Sequence, residues 1–389
     1  MKIDISSFNW VITFSIIVIV SYFLHYLKYK CKRLNLFYAK TEKNLKIVNG
    51  SRYLSQEIYY PTFYLCTGIL QTIAYGIWRA IRPGYKGIKF ISQEVALSDG
   101  GEIVLDWPDI SNSSDLKDDS VIIAILPGLT GGTKDNYVRD IIFNSLKNNY
   151  RPVVLNHRGC SNHKLKTSHF YCGSSSNDCE AGLNAIHDKF PKAKIYLIGF
   201  SLGANIGVNY ITENPSQTLV KGLISVSNPY DFLICDLIIS QYLCGIFHLV
   251  LGLHLCSLLR KHLKEMRGIE GKLGHTLEEG ISKVWTSRDF DDIFTSRAFN
   301  YTNAFDYYRK ASCVQNIIKV NIPMFFLSAE DDPMVHKVVI PFKECIANPL
   351  VILATHPTGG HCSYYRGIIP KSWFYLPCFD FINQVERVY

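Results

Sequence analysis

Three short stretches of the chain carry residue types suited to nucleophilic acyl transfer. The first is Gly199-Phe200-Ser201-Leu202-Gly203, where a serine stands between glycines after the apolar run IYLIGF and ahead of LGANIGVNYI. Glycines two residues to either side leave room for a strained strand-to-helix turn that lifts the hydroxyl off the sheet edge. A serine near its ordinary pKa is a poor nucleophile and requires a base oriented by an acid. Both occur later, each after an apolar run: MFFLSA leads to Asp331-Asp332, and VILAT leads through Gly359-Gly360 to His361. We take Asp332 as the acid, because Asp-x-x-Val followed by a helix is the usual loop shape, whereas Asp331 would point along the strand. For Asp331 the reading is a helix cap or a solvated carboxylate. His356 lies close to its strand and His336 follows the acid too closely, which leaves His361 as the base.

An oxyanion formed at Ser201 needs backbone donors. The Leu202 N–H, at the start of the helix, is one. The second is expected from the loop after VIIAILPGLTGG, where Pro127-Gly128 precedes Leu129 and Gly131-Gly132 follows. The competing reading of that loop is a simple turn. The twelve cysteines are scattered singly, with no C-x-x-C pair and none at zinc-ligand spacing near a histidine pair. They read as small buried hydrophobes rather than a disulfide framework. No metal and no organic cofactor is implied.

The surrounding sequence must position these groups. From Val121, short apolar runs alternate with helix-compatible segments of ten or more residues, the rhythm of a parallel sheet covered on both faces. The alternation lapses over residues 231–322, which reads as an insertion above the sheet, with its cap portion at about 232–300. Before it, KFISQEVALSDGGEIVLDW reads as two strands joined at Asp99-Gly100-Gly101. An apolar helix is expected over Phe63–Ile81, packed on the core rather than crossing a membrane and stopping at Arg82-Pro83-Gly84. The expected organisation is residues 1–33 as an N-terminal anchor with a basic flank, 34–88 as a lead-in region, and 89–389 as the main domain.

Phe8 to Leu27 contains no formal charge and as a helix would measure about 30 Å, the thickness of a bilayer core. Trp10, Tyr22 and Tyr26 sit where interfacial aromatics belong, and KYKCKR follows with no small-residue cleavage site. We read a retained single-pass anchor. Lys28, Lys30, Lys32 and Arg33 follow the span and only Lys2 precedes it, which places the body in the cytosol, with the endoplasmic reticulum a candidate membrane. Sequons at Asn49, Asn112 and Asn300 are no more than chance supplies, roughly two or three in a chain of this length. With 48% apolar and 19% charged residues in 389, a large core is affordable and widespread disorder is excluded. The net charge of +8 is not gathered into an arginine-rich aromatic stripe, so nucleic acid is not an expected partner.

Several segments together resemble the membrane-anchored α/β-hydrolase-domain family, which includes medium-chain phospholipases, monoacylglycerol lipases, ethyl-ester synthase/esterases and short-chain esterases. They are YYPTFYLCTGILQT (59–72), LSDGGEIVLDW (97–107), LPGLTGGTKDNYV (126–138), LNHRGCSN (155–162), GFSLGAN (199–205), AEDDPMVH (329–336) and GGH (359–361), in the family's order. The resemblance implies an α/β-hydrolase fold with Ser201 as nucleophile, Asp332 as acid and His361 as base. It implies an ester hydrolase acting on lipids such as acylglycerols or phospholipids, with medium acyl chains favoured. An acyltransferase, a peptidase or thioesterase, and a non-catalytic receptor on the same fold are the alternatives. The apolar segment 232–259, interrupted by Asp236, Gln241, His248 and His254, is expected to be a lid over the triad rather than a second span.

Overall fold

A computed structural model describes residues 5–81, 88–110, 116–213 and 215–389. The expected stop at Arg82-Pro83-Gly84 and the sequon at Asn112 lie outside these. Nine strands form one sheet in the order β1-β9-β8-β7-β6-β4-β5-β3-β2. They are β1 (Asn35–Tyr38), β2 (Phe90–Ala96), β3 (Glu102–Pro108), β4 (Ile122–Leu126), β5 (Arg151–Asn156), β6 (Ile195–Phe200), β7 (Val220–Val226), β8 (Met324–Ala329) and β9 (Val351–His356). Six central strands, β5-β4-β6-β7-β8-β9, pair in parallel. The β2–β3 hairpin turns at the predicted Asp-Gly-Gly and joins antiparallel through β3 to β5.

Continuous apolar strands serve two faces at once because successive side chains point oppositely. In β4, Ile122, Ala124 and Leu126 enter a cluster with Leu183 and Ile186 of α5 (Ser176–Lys189) and Ile206 of α6 (Leu202–Glu213). The alternate residues, Ile123 and Ile125, face Ile141 of α4 (Asn136–Lys147), Ile47 of α2 (Glu42–Gly50) and Phe381 of the C-terminal helix Tyr375–Val388. Both neighbours of β4 come later in the chain, β5 on one side and β6 on the other. Chain direction therefore reverses there, and the crevice beyond the strand ends at such a point is where doubly wound sheets hold ligands.

Residues 34–81 do not stand apart in space. β1 closes one edge of the sheet against β9, Asn35 opposite Thr355 through Tyr38 opposite Ile352. The helix anticipated over Phe63–Ile81 is divided: Phe63–Leu65 is one 3-10 turn, and α3 runs Gly68–Ile81. The stretch preceding it, α1 (Ile5–His25), exposes Trp10, Phe14, Ile16 and Leu24, and Trp10–Lys30 is long and apolar enough to cross a membrane. Its far end is tied down where Tyr22 donates to the Phe63 carbonyl and Phe23 stacks on Phe63.

Between β7 and β8 the chain leaves the sheet as a run of helices. Residues 232–261 pass the same length-and-composition test for a span. They are not one rod. Leu243, Cys244 and Gly245 take φ of 48°, 54° and 74°, so α7 (Phe232–Gln241) and α8 (Ile246–Lys261) meet at a bend. At 1.5 Å per residue neither reaches the ~30 Å of a bilayer core. Asp236 on α7 accepts from His248 on α8 at 2.9 Å, which folds the two helices together, and from Arg288 of the later turn Ser287–Phe290 at 2.8 Å. Leu255, Leu259, Met266, Phe290 and Phe294 give this cap a small core of its own, joined to Leu165 of the body.

Candidate active site

The bend after β6 is strained. Ser201 has φ +50°, a conformation that costs a non-glycine residue about 1–3 kcal/mol. Its glycines are there for clearance. A Cβ at Gly199 would come 2.6 Å from Ala204 Cα, and one at Gly203 would come 2.4 Å from the Pro127 carbonyl oxygen. The strand end, the helix start and the β4 loop thus close on one another, and Ser201 is carried above them.

His361 brings the other two predicted groups to it. Its Nε2 lies 3.0 Å from Ser201 Oγ and its Nδ1 lies 2.8 Å from Asp332 Oδ2. In the tautomer with the proton on Nδ1, the ring donates to Asp332 and accepts from the serine. Asp332 is buried, and its other oxygen accepts the Met334 and Val335 N–H groups at 2.8 and 3.0 Å. The carboxylate is therefore aimed by its own loop before the histidine arrives. The rejected histidines are elsewhere. His336 is exposed and caps the turn Lys337–Val339. His356 is fully buried, engaged by the Thr358 backbone, and burial pushes its pKa down to about 4.

In the β4 loop the amide groups are nearly all committed. Gly128 N–H donates to Tyr137 Oη at 2.9 Å, Thr130 N–H to Tyr171 Oη at 2.7 Å, and Gly131 N–H to the Gly128 carbonyl at 2.9 Å. The Gly132 N–H donates to Asp135 at 2.8 Å. Leu129 N–H, between them, has no acceptor among the described residues. Gly128 is so close that a Cβ there would lie 3.3 Å from Ser201 Cβ. The Leu202 amide is the first of α6 and has no intrahelical acceptor by its position. The LNHRG segment fixes this loop from outside. His157 Nε2 donates to the Pro127 carbonyl at 2.8 Å and its ring stacks on Tyr171, while burial lowers its pKa and keeps it neutral.

Sequence reasoning missed the clamp on the histidine loop. Asp331 is neither solvated nor a cap for the helix that follows it. Its Oδ2 accepts Gly68 N–H, the first amide of α3, at 2.6 Å, and its Oδ1 accepts Gly359 and Gly360 N–H at 2.9 and 3.2 Å. Burial pushes its carboxyl pKa up while these three amides pull it back. From the same helix, Thr72 Oγ1 accepts the His361 N–H at 2.9 Å and Gln71 Oε1 accepts Tyr365 N–H at 2.8 Å. The only sequence signal was the doubling of aspartates, and it carries no information about a partner 263 residues away.

An apolar cavity of about 160 Å³ runs from Ser201, Leu129 and His361 up between α7 and α8, past Phe232, Ile239 and Leu255. It has a polar end: Asp236, His248, Asp291 and Tyr308 also line it. Tyr308 donates to Asp291 at 2.8 Å, and burial raises the Asp291 pKa to about 7. All twelve cysteines are free thiols, ten of them buried. Among the described residues no group of three or more His, Cys, Asp or Glu side chains is placed to hold a metal.

The α/β hydrolase fold family matches residues 121–367. A monoacylglycerol lipase of Saccharomyces cerevisiae is 33% identical over 70% of this chain and 60% of its own length. The chain thus spans less than two thirds of that relative. Human phospholipase ABHD3 is 31% identical over 82% of this chain and 76% of its own. Among solved structures, the Pyrococcus furiosus esterase Pf2001 aligns at 17% identity with a TM-score of 0.44, over 71% of this chain and 83% of that one.

Proposed function

The chain belongs to the α/β hydrolase fold family, and on that premise we propose that it is a membrane-anchored serine hydrolase that cleaves acyl esters of lipids. The line Ser201–His361–Asp332, at 3.0 and 2.8 Å, carries this reading. Ser201 Oγ attacks the ester carbonyl carbon as its proton passes to His361 Nε2, and the Asp332 carboxylate stabilises the imidazolium. The Leu129 and Leu202 N–H groups, which lack protein acceptors, hold the oxyanion. Collapse expels the alcohol with the proton from His361 and leaves an acyl-serine. Water, deprotonated by the same ring, then releases the fatty acid and restores the hydroxyl. The cavity under the cap takes the acyl chain. Relatives named as monoacylglycerol lipase and phospholipase support lipid esters as the substrate class.

The test is activity-based. Full-length protein in detergent should label with a fluorophosphonate probe and release fatty acid from acylglycerol or phospholipid. Ser201→Ala should lose both while keeping the circular dichroism of the parent. Labelling that survives the substitution would move the nucleophile elsewhere.

For topology, α1 is read as the anchor with the body in the cytosol. Asn49 and Asn300 are both exposed, so a luminal body would offer them to the glycosylation machinery. In cells, endoglycosidase treatment should leave mobility unchanged. A shift reverses the orientation.

A further inference from the structure

A second cavity, of about 710 Å³, begins where the acyl cavity ends, and Leu258 and His262 line both. Its floor is Thr130, Gly131 and Gly132, the continuation of the loop that presents the Leu129 amide. Its walls are basic. Lys134 comes from the loop before α4 and Arg139 from the first turn of α4, His163 and Lys164 from the loop after β5, and Lys261 is the last residue of α8. Lys134, Lys164 and Lys261 are exposed, and none has a carboxylate within 4 Å among the described residues. Asp135, the one acid lining the cavity among the described residues, is buried and accepts from Gly132 N–H at 2.8 Å and Tyr75 Oη at 3.3 Å. Three lysines from three separate segments therefore face one concavity whose carboxylate is already engaged.

His262 supplies an independent sign of a ligand. It is only 6% exposed, and its Nε2 donates to the Gly159 carbonyl at 2.8 Å. Its Nδ1 is buried with no partner. An unpaired buried polar atom costs about 1–3 kcal/mol, so it belongs with something that pairs it.

We infer that this cleft binds a phosphate group, and that in turnover it is the phosphate of a glycerophospholipid whose acyl ester lies at Ser201. The inference rests on the lipid-ester reading above. From Leu129 to Gly132 the backbone spans at most about 10 Å, the scale on which ester and phosphate are separated within one phospholipid. The glycerol backbone would then cross the wall formed by Leu258 and His262, with its acyl chain under the cap and its phosphate between Lys134, Lys164 and Lys261.

The matched probes are dihexanoylphosphatidic acid and dihexanoylglycerol, which differ by the phosphate alone. Lys164→Glu with Lys261→Glu in the full-length protein should lower kcat/KM on the phosphatidate tenfold or more. Turnover of the diacylglycerol and fluorophosphonate labelling should change less than twofold. Inorganic phosphate should compete with the phosphatidate only. Equal losses on both lipids, or none on the phosphatidate, overturn the inference. Inhibition of both lipids alike by inorganic phosphate would make this a free-phosphate site and overturn the headgroup assignment. Should the parent fail to label, the hydrolase reading falls first. Binding of the phosphatidate to Ser201→Ala, with and without the two charge reversals, then decides the cleft separately: unchanged binding refutes it.

Discussion

At the carboxyl edge of the sheet, Ser201, Asp332 and His361 are held mainly by the chain itself. Ser201 is fixed by a bend whose neighbours admit only glycine, Asp332 by two amides of its own loop, and His361 by its backbone N–H. The roof above them is held by side chains. α7 meets α8 through the Asp236–His248 contact and the turn Ser287–Phe290 through Asp236–Arg288, over a modest apolar cluster. Its outer surface leaves Leu237, Leu243, Ile246 and Leu253 exposed. Backbone-set geometry tolerates little change before the chemistry fails. Side-chain contacts can vary from one sequence to the next while the fold stands, so the roof is where the cavity can change shape without disturbing Ser201, Asp332 and His361.

The sharpest way to break this contrast is at the sheet edge. Asp332→Asn should lower kcat by about 10³–10⁴-fold with little change in KM, because the imidazole loses the partner that sets its tautomer and stabilises its charge. A loss below tenfold would mean that the acid is elsewhere. Removing the roof should act differently. Deleting residues 240–258 should cut turnover of micellar lipid by roughly 10–100-fold, yet reduce hydrolysis of a soluble short-chain ester only a few-fold. Equal losses on the two substrates would make the segment structural and no more. The smallest effect is expected from the neighbouring carboxylate. Asp331→Asn replaces one charge-assisted acceptor by an amide donor facing Gly68 N–H, a change worth about 1 kcal/mol, or less than about tenfold in kcat. If it matches Asp332→Asn, the assignment of the pair is inverted.

What the sequence disclosed follows from how local each signal is. Ser201 was legible because its glycines, its strand and its helix all lie within a dozen residues. The parallel strands were legible because burial on both faces leaves continuous apolar runs. β1 was not, since four residues at a sheet edge, with burial changing little along them, carry no periodicity. Asp331, Thr72 and Gln71 were opaque for another reason: their partners come from far along the chain, and nothing near them announces a shared loop. The two polar breaks at Asp236 and His248 were visible, but their pairing across a bend was not, because the three left-handed residues that make the bend include Leu243 and Cys244, types that rarely adopt that conformation.

The clamp of α3 on the histidine loop also bears on how the molecule comes to be competent. The Gly68–Asp331 and Thr72–His361 contacts span 263 and 289 residues of chain. Contacts of such separation close late, since the loop entropy they cost is recovered only after the intervening structure has formed. During synthesis the serine elbow can be complete while His361 still lacks its anchor. On the proposed function, a newly made chain is idle until α3 meets the histidine loop, which delays catalysis until folding is finished. Severing the chain between α3 and β2 would be expected to return it to that idle state.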